Sequence, residues 1–513
     1  MQKYDHLSKE DLIKIIGTLE GKVERLSLLL AMQKARTFKA KKETMDPLEA
    51  NLFNYNEVEY LSATTFEDAL EEKKNVKPRK PKGKHHANID FEKFVTETII
   101  HDPSGGNKDL FTDISEDITY KANVSVDIKV TKHIYKTVKH KETHELKTDL
   151  RDFCFPNSPA TPSLVSYIAN EKYLMGTPLY RQESAFLSMG FPLSRVDLSN
   201  FLMRGAAVLY PFYEHLKYLL IHNKNHVLHA DETTLKVIHV GDKEKKDKCY
   251  MWLYTTSIHD LPIYIYEYQY SRSGMWPVTF LKDFKGYLVA DDYQGYNHIP
   301  NVSLQKCFVH ARRKFFDVYK ANKDPKIKQI IEKIDDIFEL ERNFRKENLN
   351  AEQIHKARHT KAYLDVLNGY FNHLETQNYS PTSVTGKAIQ YSMKNKQGLM
   401  TYLNDGNIPI DNNLAERGIK PFVINRKNFL FSNTEKGAQA SGIYMSIIQT
   451  AKTCGLDTNK YLEYLFENLY KINLNESDFK DKEILEDKFK SMEHLLPWHD
   501  KIKEQFKMKE ASR

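Results

Sequence analysis

Apolar positions change period several times along this chain, and each change marks a different kind of element. Leu12, Ile16, Leu19, Val23, Leu26 and Leu30 recur at alternating steps of four and three, the a/d seam of a coiled-coil helix. Ser8 and Asp11 resemble a capping box at its start, with an acid where Glu or Gln is usual. Gly17 and Gly21 weaken the helix, and the seam suits packing on its own chain as well as self-association. Between 123 and 138 the period becomes two, with Val124, Val126, Ile128 and Val130 on one side of an expected strand. From about 160 to 222 the pattern is helical, broken where Gly190 precedes Phe191, Pro192 and Leu193.

A β-rich block follows. Residues 227–240, 250–258 and 262–270 are three strand candidates, dense in β-branched and aromatic residues. A short helix near 277–284 leads to a fourth strand over 286–296, and 303–319 reads as a fifth strand running into a helix. Asp324-Pro325 starts a further helical stretch to 376, an N-cap acid with Pro at the first position. Ile327, Ile330, Ile331, Ile334, Ile337 and Phe338 line one of its faces. Another helix is expected over 386–404, stopping near Gly406.

The expected organisation is a coiled-coil-like helix (1–40), a basic linker (41–86), a small β-containing module (87–145) and a helical region (146–222). An α/β core then begins (223–320), is interrupted by a helical insertion (321–404), resumes (405–455) and ends in a helical tail (456–513). The order β-β-β-α-β-α-β, with carboxylates near strand ends, is that of a ribonuclease-H-like fold: a mixed five-stranded sheet with flanking helices.

Composition adds exclusions. With 41% hydrophobic and 28% charged residues over 513 positions, the chain is neither collagen-like, wholly disordered nor a disulfide scaffold. Lys and Arg number 76 against 69 Asp and Glu, a net +7 that says little as a total. Locally it says more. Residues 73–86 read KKNVKPRKPKGKHH, and Pro78, Pro81 and Gly83 oppose a helix, so this is an extended basic tether. Lys77, Arg79 and Lys80 are candidate phosphate contacts within it. Cys154, Cys249, Cys307 and Cys454 form no C-x-x-C pair, so reduced thiols are expected. The start MQKYDHLSKEDL lacks the apolar core of a signal peptide. The most apolar long stretch, 201–221, holds Arg204, Glu214, His215 and Lys217 and is a poor bilayer span. The expectation is a cytoplasmic protein with no membrane partner.

Three acidic motifs stand out: Asp231 in HADETTLKV, Asp291 in VADDYQGY and Glu416 in IPIDNNLAERGIKPF, where Asp411 can cap a helix carrying Glu416 on its second turn. Two carboxylates on neighbouring strands repel unless a cation joins them. Hard divalent ions take oxygen ligands, and two ions about 4 Å apart can activate the attacking oxygen and stabilise the leaving oxygen of a phosphodiester. Most acids in a chain of this size are simply solvated, and the spacing alone does not separate these three from the rest.

Resemblance separates them. From about 160 to 465 the sequence resembles the transposases of the insertion sequence 66 family, through seven collinear passages. These are KYLMGTPLYRQES (172–184), VLHADETTLKV (227–237), VADDYQGY (289–296), CFVHARRKFF (307–316), IPIDNNLAERGIKPF (408–422), NRKNFLFSNTEKGAQAS (425–441) and IIQTAKTCGLDTNKYL (447–462). The resemblance implies a DDE-type, metal-dependent DNA transposase with a ribonuclease-H-like core and an α-helical insertion before the glutamate. Asp231, Asp291 and Glu416 become the catalytic, metal-holding acids for Mg2+, with Mn2+ as a substitute. Asp292 stands where the family usually has glycine and could replace or crowd the metal site. Glu232 belongs to the family pattern, but strand alternation points it to the opposite face.

Cys307 and His310 form a C-x-x-H pair read as structural or positioning, with no Cys-ligated zinc expected. Arg312, Arg313 and Lys314 fan around a helix, so not all can face one groove. With Arg417, Lys420, Arg426 and Lys427 they are the candidate DNA-backbone contacts. The front of the chain departs from the family, whose small module commonly carries a Cys-rich zinc motif, since no cysteine precedes Cys154. The implied reaction cuts element ends and joins the freed 3′-hydroxyls to target DNA. The implied partners are double-stranded DNA (terminal repeats and target) and a second copy or a larger assembly, with accessory proteins open. A non-transposing DNA-binding regulator and a ribonuclease-H-like nuclease derived from a transposase are the alternatives.

Overall fold

The computed structural model describes residues 153–472 and 482–508, apart from 223, 225, 242 and 245–247, and before them residues 98, 128–139, 141 and 146–147. The heptad helix of 1–40, the tether with Lys77, Arg79 and Lys80, and most of the 87–145 module lie outside the described residues. Among its described residues, 128–137 form no strand, contrary to the alternation, and Val138–Lys139 pairs antiparallel with Leu146–Lys147, just beyond the module. Val130 is 76% exposed and Ile134 69%, while Ile128 is half-buried against the main core.

Three helices precede the sheet: α1 (Pro162–Tyr173), α2 (Leu179–Ser188) and α3 (Arg195–Ile221). Thr161 caps α1, and Ser194 with Asp197 forms a reciprocal capping box on α3. Between α2 and α3, Gly190 takes φ +77°, the left-handed turn that ends α2.

The sheet has five main strands: β1 (Val227–Val240), β2 (Lys248–Thr256), β3 (Tyr264–Gln269), β4 (Gly286–Ala290) and β5 (Val302–Lys306). Their spatial order is β3-β2-β1-β4-β5. The first three pair antiparallel, while β4 runs parallel to β1 and β5 parallel to β4. Helix α4 (Met275–Phe280) connects β3 to β4. The helix expected between the fourth and fifth strands is absent, and only a 3-10 turn, Gln294–His298, lies there. Residues 291–301 are fewer than the dozen or so that a crossover helix needs. The helix expected at the end of 303–319 does follow β5, as α5 (Phe308–Asn322).

Where β1 pairs with β4, the two faces of the sheet bury different cores. Leu228, Ala230, Trp252, Tyr254 and Leu288 join the core that holds α1 and α3. Val227 and Val289 join the core of α5 and the helical insertion. This alternation fixes the register, because a slip of one residue would exchange the faces. The insertion comprises α6 (Pro325–Lys346), α7 (Ala351–Arg358), α8 (Lys361–Glu375) and α9 (Val384–Lys394). The Ile stripe of α6 is buried as the spacing predicts, and Asp324 caps the helix through Lys326 N.

The chain then re-enters the core through α10 (Asn413–Phe429), and the three-residue strand Ser432–Thr434 lies against β1. Helix α11 (Glu435–Thr453) covers β3. Thr450 Oγ1 and Ser446 Oγ accept from Tyr264 N and Tyr266 N at 3.0 and 2.8 Å, which satisfies N–H groups of the outermost strand. A Cβ at Gly205 on α3 would collide with Tyr444 Oη on α11, so the close approach of these helices requires glycine there. Helices α12 (Thr458–Leu469), α13 (Lys482–Met492) and α14 (Asp500–Phe506) complete the tail. Among the described residues no helix is long and apolar enough to cross a membrane.

The insertion is stapled by one buried ion pair. Arg358 donates to both carboxylate oxygens of Glu341 at 2.9 and 2.7 Å, and to the carbonyls of Tyr402, Asp405 and Ile408. Removing one partner leaves a buried charge without its counter-ion. Glu341→Ala should therefore cost about 3–5 kcal/mol in urea denaturation; a loss below about 1 kcal/mol would show that the staple does not hold the insertion.

Candidate active site

The register of β1 and β4 places the first two acids. Leu228 pairs with Leu288 and His229 with Val289. Two residues further, the same register sets Asp231 opposite Asp291, on strands about 4.8 Å apart. Asp231 is inside β1, whereas β4 ends at Ala290, so Asp291 sits just beyond the strand. Its Oδ1 accepts from Tyr293 N at 2.9 Å, which turns the chain away from the sheet.

The third acid arrives on α10. Glu416 lies in the first turn of that helix, not the second, because the helix begins at Asn413. Asp411 Oδ1 accepts from Asn413 N at 3.0 Å, and the N-cap position belongs to Asn412. Asn412 is 1% exposed and ties α10 to the strand of Asp231. Its Oδ1 accepts from His229 Nδ1 at 3.0 Å, and its Nδ2 donates to Ala230 O at 2.8 Å. Its backbone N donates to Cys307 Sγ at 3.2 Å. Phe308 N donates to Ile410 O at 3.0 Å, which joins the same segment to the start of α5.

These restraints collect charge. Burial first, and then the carboxylates of Glu232, Glu416 and Asp291, push the Asp231 carboxyl well above the usual range. Burial and Asp291 likewise raise Glu232, against the opposing pull of Tyr296 and Arg272. Burial holds the His310 imidazole below its ordinary value while Glu416 pulls the other way. Cys307 Sγ, a ring nitrogen of His310 and a Glu416 carboxylate oxygen lie within 4.8 Å of one another. Asp231, Asp291 and Glu416 form no equally tight group among the described residues. Glu416 Oε1 and His310 Nδ1 are both buried without a hydrogen-bond partner, 3.8 Å apart.

Residues 157–440 match the Transposase IS66 family, IS66 standing for insertion sequence 66. The chain belongs to this family. It is similar to the uncharacterized protein y4jD of Sinorhizobium fredii, at 30% identity over 66% of each chain. It is also similar to the uncharacterized proteins y4qI and y4hP of the same organism, at 28% and 26% identity. Those matches cover 61% and 59% of this chain and 59% and 58% of the relatives, so the chain spans about two thirds or less of the proteins it matches. No solved structure matches it significantly.

Two other residues at this candidate site, Lys306 and Arg272, had no sequence signal of their own. Lys306 is 5% exposed, and its Nζ reaches Asp292 Oδ1 at 3.4 Å and Asp291 O at 3.3 Å. Asp292, where the family usually has glycine, is thus the counter-ion of a buried lysine. On the other side of β1, Glu232 Oε1 accepts from Arg272 and Oε2 accepts from Tyr296 Oη at 2.7 Å. The Arg272 guanidinium stacks over Tyr293, 4.3 Å from the ring centre. Lys306 and Arg272 belong to no apolar period and gain partners only when distant segments meet.

The candidate DNA contacts separate. Arg312 is fully buried and pairs with Asp335 through two bonds of 2.6 and 2.9 Å, so it has no surface to offer a phosphate, contrary to expectation. Arg313 points at the site, 3.6 Å from Glu416 Oε2. Lys314 is exposed, with its Nζ 4.3 Å from the centre of the Tyr391 ring. Arg426 is bound to β1 through Thr233 Oγ1 and Thr234 Oγ1. Lys420 and Lys427 are exposed and Arg417 half-buried.

Asn412→Ala would strip partners from His229 Nδ1 and Ala230 O, both buried. The expected loss is about 2–4 kcal/mol in urea denaturation; a change under about 0.5 kcal/mol would mean that the α10 start is held by other contacts.

Proposed function

We propose that the chain is a DDE-type DNA transposase that cuts the ends of a mobile element and joins them to target DNA. The observation that carries this reading is the convergence of Asp231 and Asp291 by strand register with a glutamate whose helix is pinned to the same strand. The strand order β3-β2-β1-β4-β5, three antiparallel strands followed by two parallel ones, supports a ribonuclease-H-like core. Family membership supports the reaction class.

Asp231, Asp291 and Glu416 would hold the divalent cations, Mg2+ or Mn2+. The raised Asp231 carboxyl, pushed up by burial and by its neighbouring carboxylates, and the orphaned Glu416 Oε1 fit a cation, which relieves both. When bound, such ions supply the Lewis-acid charge that in-line phosphodiester displacement requires. The chain's own groups orient the substrate. Arg313 and Arg417 offer guanidinium donors beside the acids, and Lys314, Lys420 and Lys427 add exposed positive charge for the backbone of double-stranded DNA. Glu232 and Tyr293 hold the Arg272 side chain near Asp291. Two element ends must meet, so a homodimer or larger assembly is part of this reading.

The test is incubation of the protein with Mg2+ or Mn2+, labelled element-end DNA and a target plasmid. Joined products are expected. Cleavage without joining would indicate a nuclease, and binding without either a regulator. Asp231→Asn, Asp291→Asn and Glu416→Gln should each reduce cleavage and joining to background while a gel shift with the same DNA persists; full activity in any one variant would remove that residue from the site.

A further inference from the structure

Beyond the acids, β1 borders a cleft of about 370 Å³ lined by Thr234, Lys236, Lys248, Arg426, Lys427 and Leu430, among others. Among the described residues that line it, four are cationic and none is acidic. Lys236, Lys248 and Lys427 are exposed. Arg426 is fixed in place, its contacts to Thr233 and Thr234 all made by one terminal nitrogen. Four like charges around one cleft raise each other's energy unless an anion offsets them. Beside them Leu430 is 67% exposed and Phe431 42%, apolar surface of the kind that nucleic-acid grooves interleave with cations.

We propose that this cleft binds the phosphodiester backbone of the same DNA, away from the bond that is cut. The inference rests on the reading of the chain as a DNA-acting enzyme. Lys236 lies five residues beyond Asp231 on one strand, which sets the cleft about 16 Å from that acid. At about 3.4 Å per step of B-form duplex, that is on the order of five base pairs from the reacting phosphate. Lys236 and Lys248 come from neighbouring strands, and Arg426 and Lys427 from the last turn of α10. One rigid unit therefore carries both the acids and the cleft, and the distance between cut and contact is fixed by the fold.

The experiment measures binding of a labelled element-end duplex by the full-length protein without divalent metal, over a series of salt concentrations. Lys236→Gln/Lys248→Gln should flatten the slope of log K against log salt by about two, one for each lost phosphate contact. Hydroxyl-radical protection should fade about five base pairs from the cleavage position and persist at the cleavage position itself. Adding Lys427→Gln should take a further step of about one. Lys361→Glu, an exposed lysine on α8, is the control for general loss of positive charge. A double variant with the wild-type slope and footprint, or a control with the same loss, would overturn the proposal. Because no metal is present, the slope is independent of chemistry: a protein that binds but never cuts defeats the transposase reading and leaves this comparison intact.

Discussion

The side chain of Asn412 is the constraint on which the rest of this site depends. Asp231 and Asp291 are neighbours by sheet register alone, a local consequence of alternating apolar residues. Glu416 comes back to the sheet only after the whole helical insertion, and loop closure over so long an excursion has an entropic cost. A buried amide offsets it. Asn412 gives its donor to Ala230 and its acceptor to His229, the two residues before Asp231. Its backbone N–H goes to Cys307, where β5 passes into α5. Three segments from different parts of the chain thereby meet at one residue, and the acid four positions later is aimed by it.

What this convergence creates is an electrostatic liability. Burial contributes most to the raised proton affinity of Asp231, and the three carboxylates of Glu232, Glu416 and Asp291 add to it. The surrounding cations are already engaged: Arg272 with Glu232, Lys306 with Asp292, Arg312 with Asp335. Arg313, 3.6 Å from Glu416, offsets part of the charge. A cluster left in this state is destabilising on its own, which is the usual sign that an arrangement serves binding or chemistry.

Much of this was legible in the sequence. The β-rich block, the Ile stripe of α6 and the Asp324 cap follow from period and capping rules, because they depend on residues close in sequence. The three acids stood out by resemblance, and their spacing alone did not separate them from the other carboxylates. The errors share a cause: each depended on contacts with a distant segment. Arg312 reads as one of three candidate DNA-backbone contacts, yet it is buried and paired with Asp335 on the next helix. The alternation through Ile128 and Val130 reads as a strand, yet 128–137 form none, with Ile128 half-buried against the core and Val130 exposed. The roles of Lys306, Arg272 and Asn412 exist only after folding brings their partners in. Glu416 fell on the first turn of α10 because Asp411 bonds to Asn413 from one residue before the cap.

The central claim, that the acids are assembled to hold a cation, is tested most directly by thermal denaturation of wild type and Asp231→Asn with and without Ca2+ or Mg2+. Without the ion, the variant should be the more stable, because it relieves a buried carboxyl and its repulsion. With saturating ion the order should reverse, wild type gaining about 3 kcal/mol at a hundred times its dissociation constant while the variant gains little. Equal gains in both proteins, or a variant no more stable than wild type in the absence of ion, would contradict the account.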